Sequence, residues 1–250
     1  MNISIAAEPI FYIGSFPVTN TIIVTLFISL LIIAASAILK SRIRLIPRGF
    51  QNIVEAVLEA LLNLVDSVTQ DRRQSKKFFP LVATIFIFVI LSNWVEVAPG
   101  FGTIGLREVS GGKNILVPFF RSGSADLNMT LALAIISVMS AQILGIAAIG
   151  VGKYAGKFFV SPFRPPYFVG TFVGVLEIIS EVAKLISFSF RLFGNIFAGE
   201  VLLMVMLFLV PYFVPLPFLF LELFVGFVQA LVFSMLTLVF LKMAVTEAAH

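Results

Sequence analysis

The chain is 250 residues long, 60% hydrophobic and only 12% charged. A soluble domain carries about 25% charged residues, so this composition excludes an ordinary soluble protein and indicates a membrane protein. There is no cysteine, and His250 is the only histidine, which excludes thiolate and histidine metal sites, haem ligation and a cysteine or histidine catalyst. The net charge of +4 is carried by residues that flank apolar segments, which is typical of membrane topology rather than of a nucleic-acid partner.

The N-terminal part of the chain predicts one membrane span that is followed by positive charge. Residues 1–20 are mixed in character and are expected outside the bilayer, without a cleaved signal or transit peptide. The first predicted span, residues 21–39, is close to the ~20 residues that a bilayer requires. Basic residues follow it at once: Lys40, Arg42, Arg44 and Arg48. The positive-inside rule therefore predicts an external N-terminus and a cytoplasmic end for this span.

A different kind of helix is predicted after Pro47. Polar residues recur there every three or four positions: Asn52, Glu55, Glu59, Asn63 and Asp66. Apolar residues fill the opposite face, and this pattern predicts an amphipathic helix. Its acidic face argues against an anchor to lipid headgroups. We expect the helix to lie at the membrane interface or to pack on a partner subunit, and a plain surface helix is the alternative.

The second predicted span, residues 78–97, ends in a tryptophan and a glutamate. A basic cluster at residues 72–77 precedes it and is expected in the cytoplasm. Trp94 suits the aromatic belt at the outer interface. Glu96 lies at the outer boundary of the span, where it is either part of a functional site or a solvated helix-end carboxylate.

The third predicted span, residues 125–151, follows an outer loop that is rich in glycine and serine. Asp126 stands at its beginning, and an aspartate there is a natural helix N-cap. Asn128 follows within the first turn. Lysines and an arginine beyond the span return the chain to the cytoplasm.

The last third of the chain predicts two long helices. Residues 167–210 contain no proline and predict one helix of about 65 Å, roughly twice the thickness of a bilayer core. Such a helix must tilt strongly, lie partly flat or break, and Gly194 and Gly199 are the candidate bends. A final apolar helix is predicted over residues 218–245, with its end in the cytoplasm.

These segments predict an all-α polytopic membrane protein that forms a single domain over residues 1–250. It has about five membrane-embedded helices and one amphipathic interfacial helix, and its last two helices are long and strongly tilted. The sequence contains no internal repeat, which is unfavourable for an inverted-repeat transporter.

Polar side chains recur along one face of the first long helix. Their spacing of four, three, seven and four residues defines a single stripe. The residues of this stripe are Glu177, Glu181, Lys184, Arg191 and Asn195. Glu181 and Lys184 are close enough to pair, whereas Arg191 has no acid three or four residues away. Because a guanidinium stays charged, its counter-ion must come from another helix or another chain.

Three further polar residues lie in the two long helices. Glu200 stands nine residues beyond Arg191, so it faces the other side of a straight helix. Glu222 and Gln229 share a face of the last helix. The alternatives are an interfacial carboxylate for Glu222 and an interhelical hydrogen bond for Gln229. The set fits a polar pathway for protons or a small cation, and no phosphate-binding loop or paired-carboxylate metal spacing accompanies it.

The sequence resembles the subunit a family of F-type ATP synthases. Residues 190–200, F-R-L-F-G-N-I-F-A-G-E, are similar to the arginine signature of that family. Residues 227–241 are similar to its last-helix motif, and residues 126–134 and the pattern Asn93-x-x-Glu96 fit its earlier blocks. The resemblance covers nearly the whole chain outside residues 1–20 and 99–125.

The resemblance implies a non-catalytic stator subunit, without a cofactor, that lies beside a rotating ring of c subunits and belongs to a complex with subunit b. Arg191 matches the essential arginine, so its counter-ion is a ring carboxylate. Two offset half-channels then connect this point to the two sides of the membrane and couple ion flow to ATP synthesis. The matching channel positions are Glu200, Glu222, Asn195 and Gln229, with Glu177, Glu181 and Lys184 toward the cytoplasmic end and Glu96, Asp126 and Asn128 as lining or supporting residues.

One departure from the family is visible. Many members have one glutamate and one histidine at the positions of Glu200 and Glu222, whereas here both residues are acids. The outer half-channel is therefore expected to rely on carboxylates alone. The sequence leaves H⁺ and Na⁺ open, because ion choice in this family depends largely on the ring.

A bacterial plasma (inner) membrane is expected, and an organelle-encoded copy stays open. Two other functions are weighed against the proton channel. A free-standing cation or proton secondary transporter would need a substrate cavity. An assembly protein would use the stripe for helix packing only.

Overall fold

The computed structural model describes residues 7–97, 105–110, 113–118, 121–158, 169–210 and 212–246. Five of its helices are long and apolar enough to cross a membrane, which confirms the all-α polytopic class. These helices are α1 (Asn20–Ser41), α3 (Arg72–Val95), α4 (Leu127–Ile149), α6 (Val169–Leu209) and α7 (Pro215–Thr246). The basic cluster at residues 72–77, which was predicted to precede the second span, forms the first turns of α3.

Two shorter helices complete the helical part. The amphipathic helix α2 (Phe50–Thr69) was predicted, and it packs on the bundle through the buried residues Leu61 and Val65. Several of its other apolar side chains, such as Phe50 and Ile53, are exposed, as expected for a helix at a membrane interface. Helix α5 (Val151–Phe158) was not predicted and follows α4 across Gly150, whose φ of 88° favours glycine.

Two antiparallel hairpins lie outside the helical bundle and were not predicted. The first pairs β1 (Pro9–Ile13) with β2 (Phe16–Thr19). The second pairs β3 (Gly105–Ser110) with β4 (Lys113–Pro118), within the segment that was expected to be a loop. A short 3-10 helix, Gly123–Ala125, then leads into α4.

The core lies where α3, α4, α6 and α7 meet. Phe188 of α6 stacks on Phe233 of α7 with ring centres 4.0 Å apart. Helix α3 approaches α7 closely, and the Asn93 side-chain amide donates a hydrogen bond to the Gly226 carbonyl at 2.9 Å. An added Cβ at Gly226 would lie 3.0 Å from the Cβ of Asn93, so this glycine permits the close approach.

Helix α6 is one continuous helix of 41 residues, about 60 Å at 1.5 Å per residue. It passes through Gly194 and Gly199 without interruption, so the two candidate bends do not break it. A continuous helix of this length can fit a bilayer core of ~30 Å only with strong tilt. Residues 167 and 168, where the helix was predicted to begin, lie outside the described residues.

The bundle has two ends that contain different residues. At one end, called here the hairpin end, the Asn20 amide donates to the Pro118 carbonyl at 3.1 Å and the Ser122 hydroxyl donates to the Ser92 carbonyl at 2.9 Å. At the opposite end, the ammonium of Lys242 donates to the Val68 carbonyl at 2.6 Å. The contact between Lys242 and Val68 brings the end of α2 beside the end of α7.

Candidate functional site

Arg191 lies on the outer surface of α6. Phe188, Leu192 and Ile196 are buried on the bundle face of the same helix, and the helical period then turns Arg191 and Asn195 away from the core. Both side chains are exposed. Within the described part of the chain, no acceptor lies within hydrogen-bond or ion-pair distance of Arg191. The prediction that its own helix offers no partner is therefore confirmed.

The stripe continues from Arg191 toward the opposite end of α6. The Lys184 ammonium donates to Oε1 of Glu181 at 2.8 Å, as the spacing predicted. It also lies 5.6 Å from the centre of the Phe240 ring, within range of a cation–π contact. Glu181 and Lys184 line a cavity together with Gln142 and Tyr154. Polar groups thus reach into the bundle from the end opposite the hairpins.

Glu177 and Gln229 are both half-buried. Gln229 makes no side-chain hydrogen bond within the residues that the structure describes, so its amide is not used to join two helices there. This result is against the packing alternative for Gln229. Glu177 stands one turn before Glu181 on α6, at the end of the stripe farthest from the hairpins.

Three carboxylates and one guanidinium meet at the hairpin end, and we call this group the acid cluster: Glu96, Arg121, Glu200 and Glu222. Glu200 of α6 is 3% exposed and Glu222 of α7 is 5% exposed. Glu96, directly after α3, is 1% exposed. The prediction that Glu200 faces away from Arg191 is confirmed, since Glu200 is buried and Arg191 is not.

Arg121 supplies the positive charge of the acid cluster. Its Nε lies 3.1 Å from Oε1 and 3.2 Å from Oε2 of Glu200, and the Arg121 side chain is 4% exposed. Its guanidinium also lies 6.0 Å from the centre of the Phe197 ring on α6. The neighbouring hydroxyl of Ser122 fixes this part of the loop to α3 through the Ser92 carbonyl.

Arg121 was not predicted as a member of this group, for which the sequence indicated carboxylates alone. The residue lies 79 positions from Glu200, in a segment that was assigned to an outer loop. One signal could have identified it. Positive charge is disfavoured on the outer side by the positive-inside rule, so a basic residue just before an outer helix start invites a search for a buried acid.

Gly199 allows Glu222 to reach the acid cluster. The carboxylate of Glu222 lies directly against the backbone of α6 at this glycine. Any Cβ at position 199 would overlap Oε1, Oε2 and Cδ of Glu222. The glycine before Glu200 therefore brings the acids of α6 and α7 together.

Glu96 is buried, and neither of its carboxylate oxygens has a hydrogen-bond partner among the described residues. Burial raises the pKa of Glu96 well above its usual range, and the charges of Glu200 and Glu222 raise it further while Arg121 opposes them. The alternative of a solvated helix-end carboxylate is therefore wrong. In the described ranges, no group of three histidine, cysteine or acidic side chains is arranged to hold a metal ion.

Asp126 caps α4 and connects it to α1. Its Oδ1 accepts a hydrogen bond from the Asn128 backbone at 2.9 Å, and its Oδ2 accepts one from the Thr21 hydroxyl at 2.8 Å. The predicted N-cap is confirmed. The side chain of Asn128 is exposed. The contacts at this point of the hairpin end are therefore made by the Asp126 carboxylate and the Asn128 backbone.

Known proteins of one family are similar to this chain over most of its length. Residues 18–242 match the family described as ATP synthase A chain. ATP synthase subunit a of Campylobacter concisus is 35% identical over 89% of this chain and 88% of its own length. The subunit a of Campylobacter jejuni subsp. jejuni is 36% identical over 89% of both chains, and that of Moorella thermoacetica is 30% identical over 93% of both. The chain belongs to the ATP synthase subunit a family and is a multi-pass membrane protein of the ATP synthase complex.

Proposed function

We propose that this chain is the proton-translocating stator subunit of the membrane sector of ATP synthase. The observation that carries the proposal is the exposed Arg191, which has no counter-ion in the described part of its own chain. A permanent charge in an apolar segment is costly unless it is paired. A carboxylate of the c-ring is the partner that removes this cost.

The exposed position of Arg191 suits a partner that moves. Arg191 favours the ionised form of each ring carboxylate that passes, because an adjacent opposite charge stabilises the charged form. Its fixed charge also repels a proton or another cation, which prevents direct leakage between the two sides. Asn195, exposed one turn further along α6, shares the same ring-facing surface, and Gln229 lies on the neighbouring helix.

Two polar access routes support the half-channel part of the proposal. The acid cluster lies at the hairpin end, and we assign it to the outer half-channel, with Glu96, Glu200 and Glu222 on the path. The cavity beside Glu181 and Lys184 belongs to the inner half-channel, which continues past Glu177. A proton that enters by one route must travel on the ring to leave by the other, and this requirement couples ion flow to rotation and ATP synthesis.

The remaining surfaces fit a stator in a bacterial plasma membrane. We assign the apolar exposed face of α2 to the membrane interface or to the stator subunit b. The hairpin end faces outward and the end of α7 faces the cytoplasm. Catalysis of ATP synthesis belongs to other subunits, and this chain contributes the ion path.

The substitution Arg191→Ala tests the proposal in membranes that contain the assembled complex. We expect ATP-driven proton pumping and ATP synthesis to be lost, because the ring carboxylate then has no counter-ion at this point. Ser187→Ala is the matched control, since Ser187 is exposed one turn earlier on the same helix and should retain pumping. Coupled pumping in the Arg191→Ala complex would overturn the proposal.

A further inference from the structure

The acid cluster contains one carboxylate that is paired with a guanidinium and two that are not, within the residues that the structure describes. The Nε of Arg121 lies 3.1 Å from Oε1 and 3.2 Å from Oε2 of Glu200. Neither Glu96 nor Glu222 makes a side-chain hydrogen bond among the residues that the structure describes. The acids therefore differ in kind, although all three are buried and close together.

Charged groups from four other parts of the chain face Glu200. Glu96 follows α3, Glu222 projects from α7 and Arg121 precedes the 3-10 helix. Glu8, just before β1, also interacts electrostatically with Glu200. Arg121 is the positive charge among these groups. An adjacent guanidinium favours the ionised form of a carboxylate, and Glu200 is the acid that lies beside one.

We propose that Arg121 is a positioning residue which holds Glu200 as a fixed, ionised carboxylate, so that Glu222 and Glu96 carry the exchangeable proton of the outer path. This inference rests on the proposed function. The Arg121–Glu200 pair is electrically neutral as a unit. It therefore allows two further acids to approach one another without the additional repulsion of an uncompensated third charge.

The consequence is a defined dependence on the pH of the outer side. Removal of Arg121 leaves the negative charge of Glu200 uncompensated, and the neighbouring acids then hold their protons up to a higher pH. Removal of Glu200 alone leaves a free guanidinium and has the opposite effect. Removal of both restores the net charge of the wild-type cluster.

The test uses the assembled complex in inverted membrane vesicles, whose lumen corresponds to the outer side. ATP synthesis is driven by a constant pH difference while the luminal pH is varied. In Arg121→Gln we expect the upper pH midpoint of the rate to rise by about one unit or more. In Glu200→Gln it should fall, in Arg121→Lys it should stay near the wild-type value, and in the Arg121→Gln/Glu200→Gln double variant it should return toward that value.

Impaired assembly of a single variant leaves the inference testable, because the Glu200→Gln and double variants give independent readings in complexes quantified by immunoblot. The inference would be overturned by pH midpoints that are equal in all four variants. It would also be overturned if the midpoint of the double variant were shifted as far as that of Arg121→Gln alone. The proposed function is judged separately by Arg191→Ala. Loss of pumping in that variant together with unmoved midpoints would refute the role of Arg121 and leave the function intact.

Discussion

Arg191 on α6 and Arg121, which packs against α6, occupy opposite environments. Arg121 is buried and paired with Glu200, whereas Arg191 is exposed and has no counter-ion in the described part of the chain. A buried charge must be satisfied by its own fold, because loss of its hydration is costly. A charge at the surface of an apolar helix can be satisfied by another chain. The difference separates an arginine that is paired inside the subunit from one that is accessible to another chain.

The largest difference is expected in stability when each arginine is removed from the purified chain in detergent. Arg121→Met leaves Glu200 buried without its partner, and we expect a loss of about 3–5 kcal/mol in the free energy of unfolding. Arg191→Met is the matched control and should change it by less than about 0.5 kcal/mol, or raise it. Thermal unfolding measures both. Equal losses of unfolding free energy in the two variants would mean that Arg121 is not held by a buried ion pair.

Gly199 and Gly194, two of the glycines of α6, lie on the buried and the exposed side of this helix. Gly199→Ala would place a methyl group on the Glu222 carboxylate, and we expect a destabilisation of about 1–3 kcal/mol with reduced proton pumping. Gly194→Ala is the control, because an added Cβ there meets nothing within 4 Å. Alanine favours a helix over glycine by up to about 1 kcal/mol, so this variant should be slightly stabilised. If Gly199→Ala were equally tolerated, Glu222 would not lie against α6.

Glu96 gives an effect on stability that depends on pH. Its pKa is raised in the folded chain by burial and then by Glu200 and Glu222, while an unfolded glutamate titrates near ~4.3. Above that pH the unfolded chain has released this proton and the folded chain keeps it. Rising pH therefore favours unfolding, by about 1.4 kcal/mol per pH unit until the folded-state pKa is passed.

We accordingly expect Glu96→Gln to reduce the fall in thermal stability between pH 5 and pH 8, a window of about three units. Glu59→Gln is the matched control, because Glu59 is an exposed glutamate of α2. An unchanged slope in Glu96→Gln would mean that Glu96 is solvated and ionised in the folded chain.

The elements that local pattern determines were predictable from the sequence. The hydrophobic runs predicted the long helices. The aspartate cap predicted the start of α4, which begins one residue after Asp126. The continuous apolar pattern likewise predicted α6 to within one residue at its C-terminal bound. The helical period was sufficient to place Glu200 away from Arg191. In each case the information lies within a few turns of one helix.

The features that depend on distant contacts were not predictable in the same way. Arg121 meets Glu200 across 79 positions of sequence, and no local pattern encodes that contact. The burial of Glu96 depends on how α7 packs over the end of α3, which the span length does not determine. The two hairpins have few residues and a mixed composition, so their strands gave no clear alternation. The surface around Arg191 was predictable, whereas the internal ion pair required the fold.

A single-cysteine cross-linking experiment tests the central claim, that the partner of Arg191 is on another chain. The chain has no cysteine of its own, so one thiol can be placed without background. Asn195→Cys lies one turn from Arg191 on the exposed face, and Ile196→Cys beside it is buried. In assembled complexes with a second cysteine next to the ring carboxylate, we predict a disulfide product from position 195 and none from position 196. No product from position 195, or equal products from both positions, would mean that this face of α6 does not meet the ring.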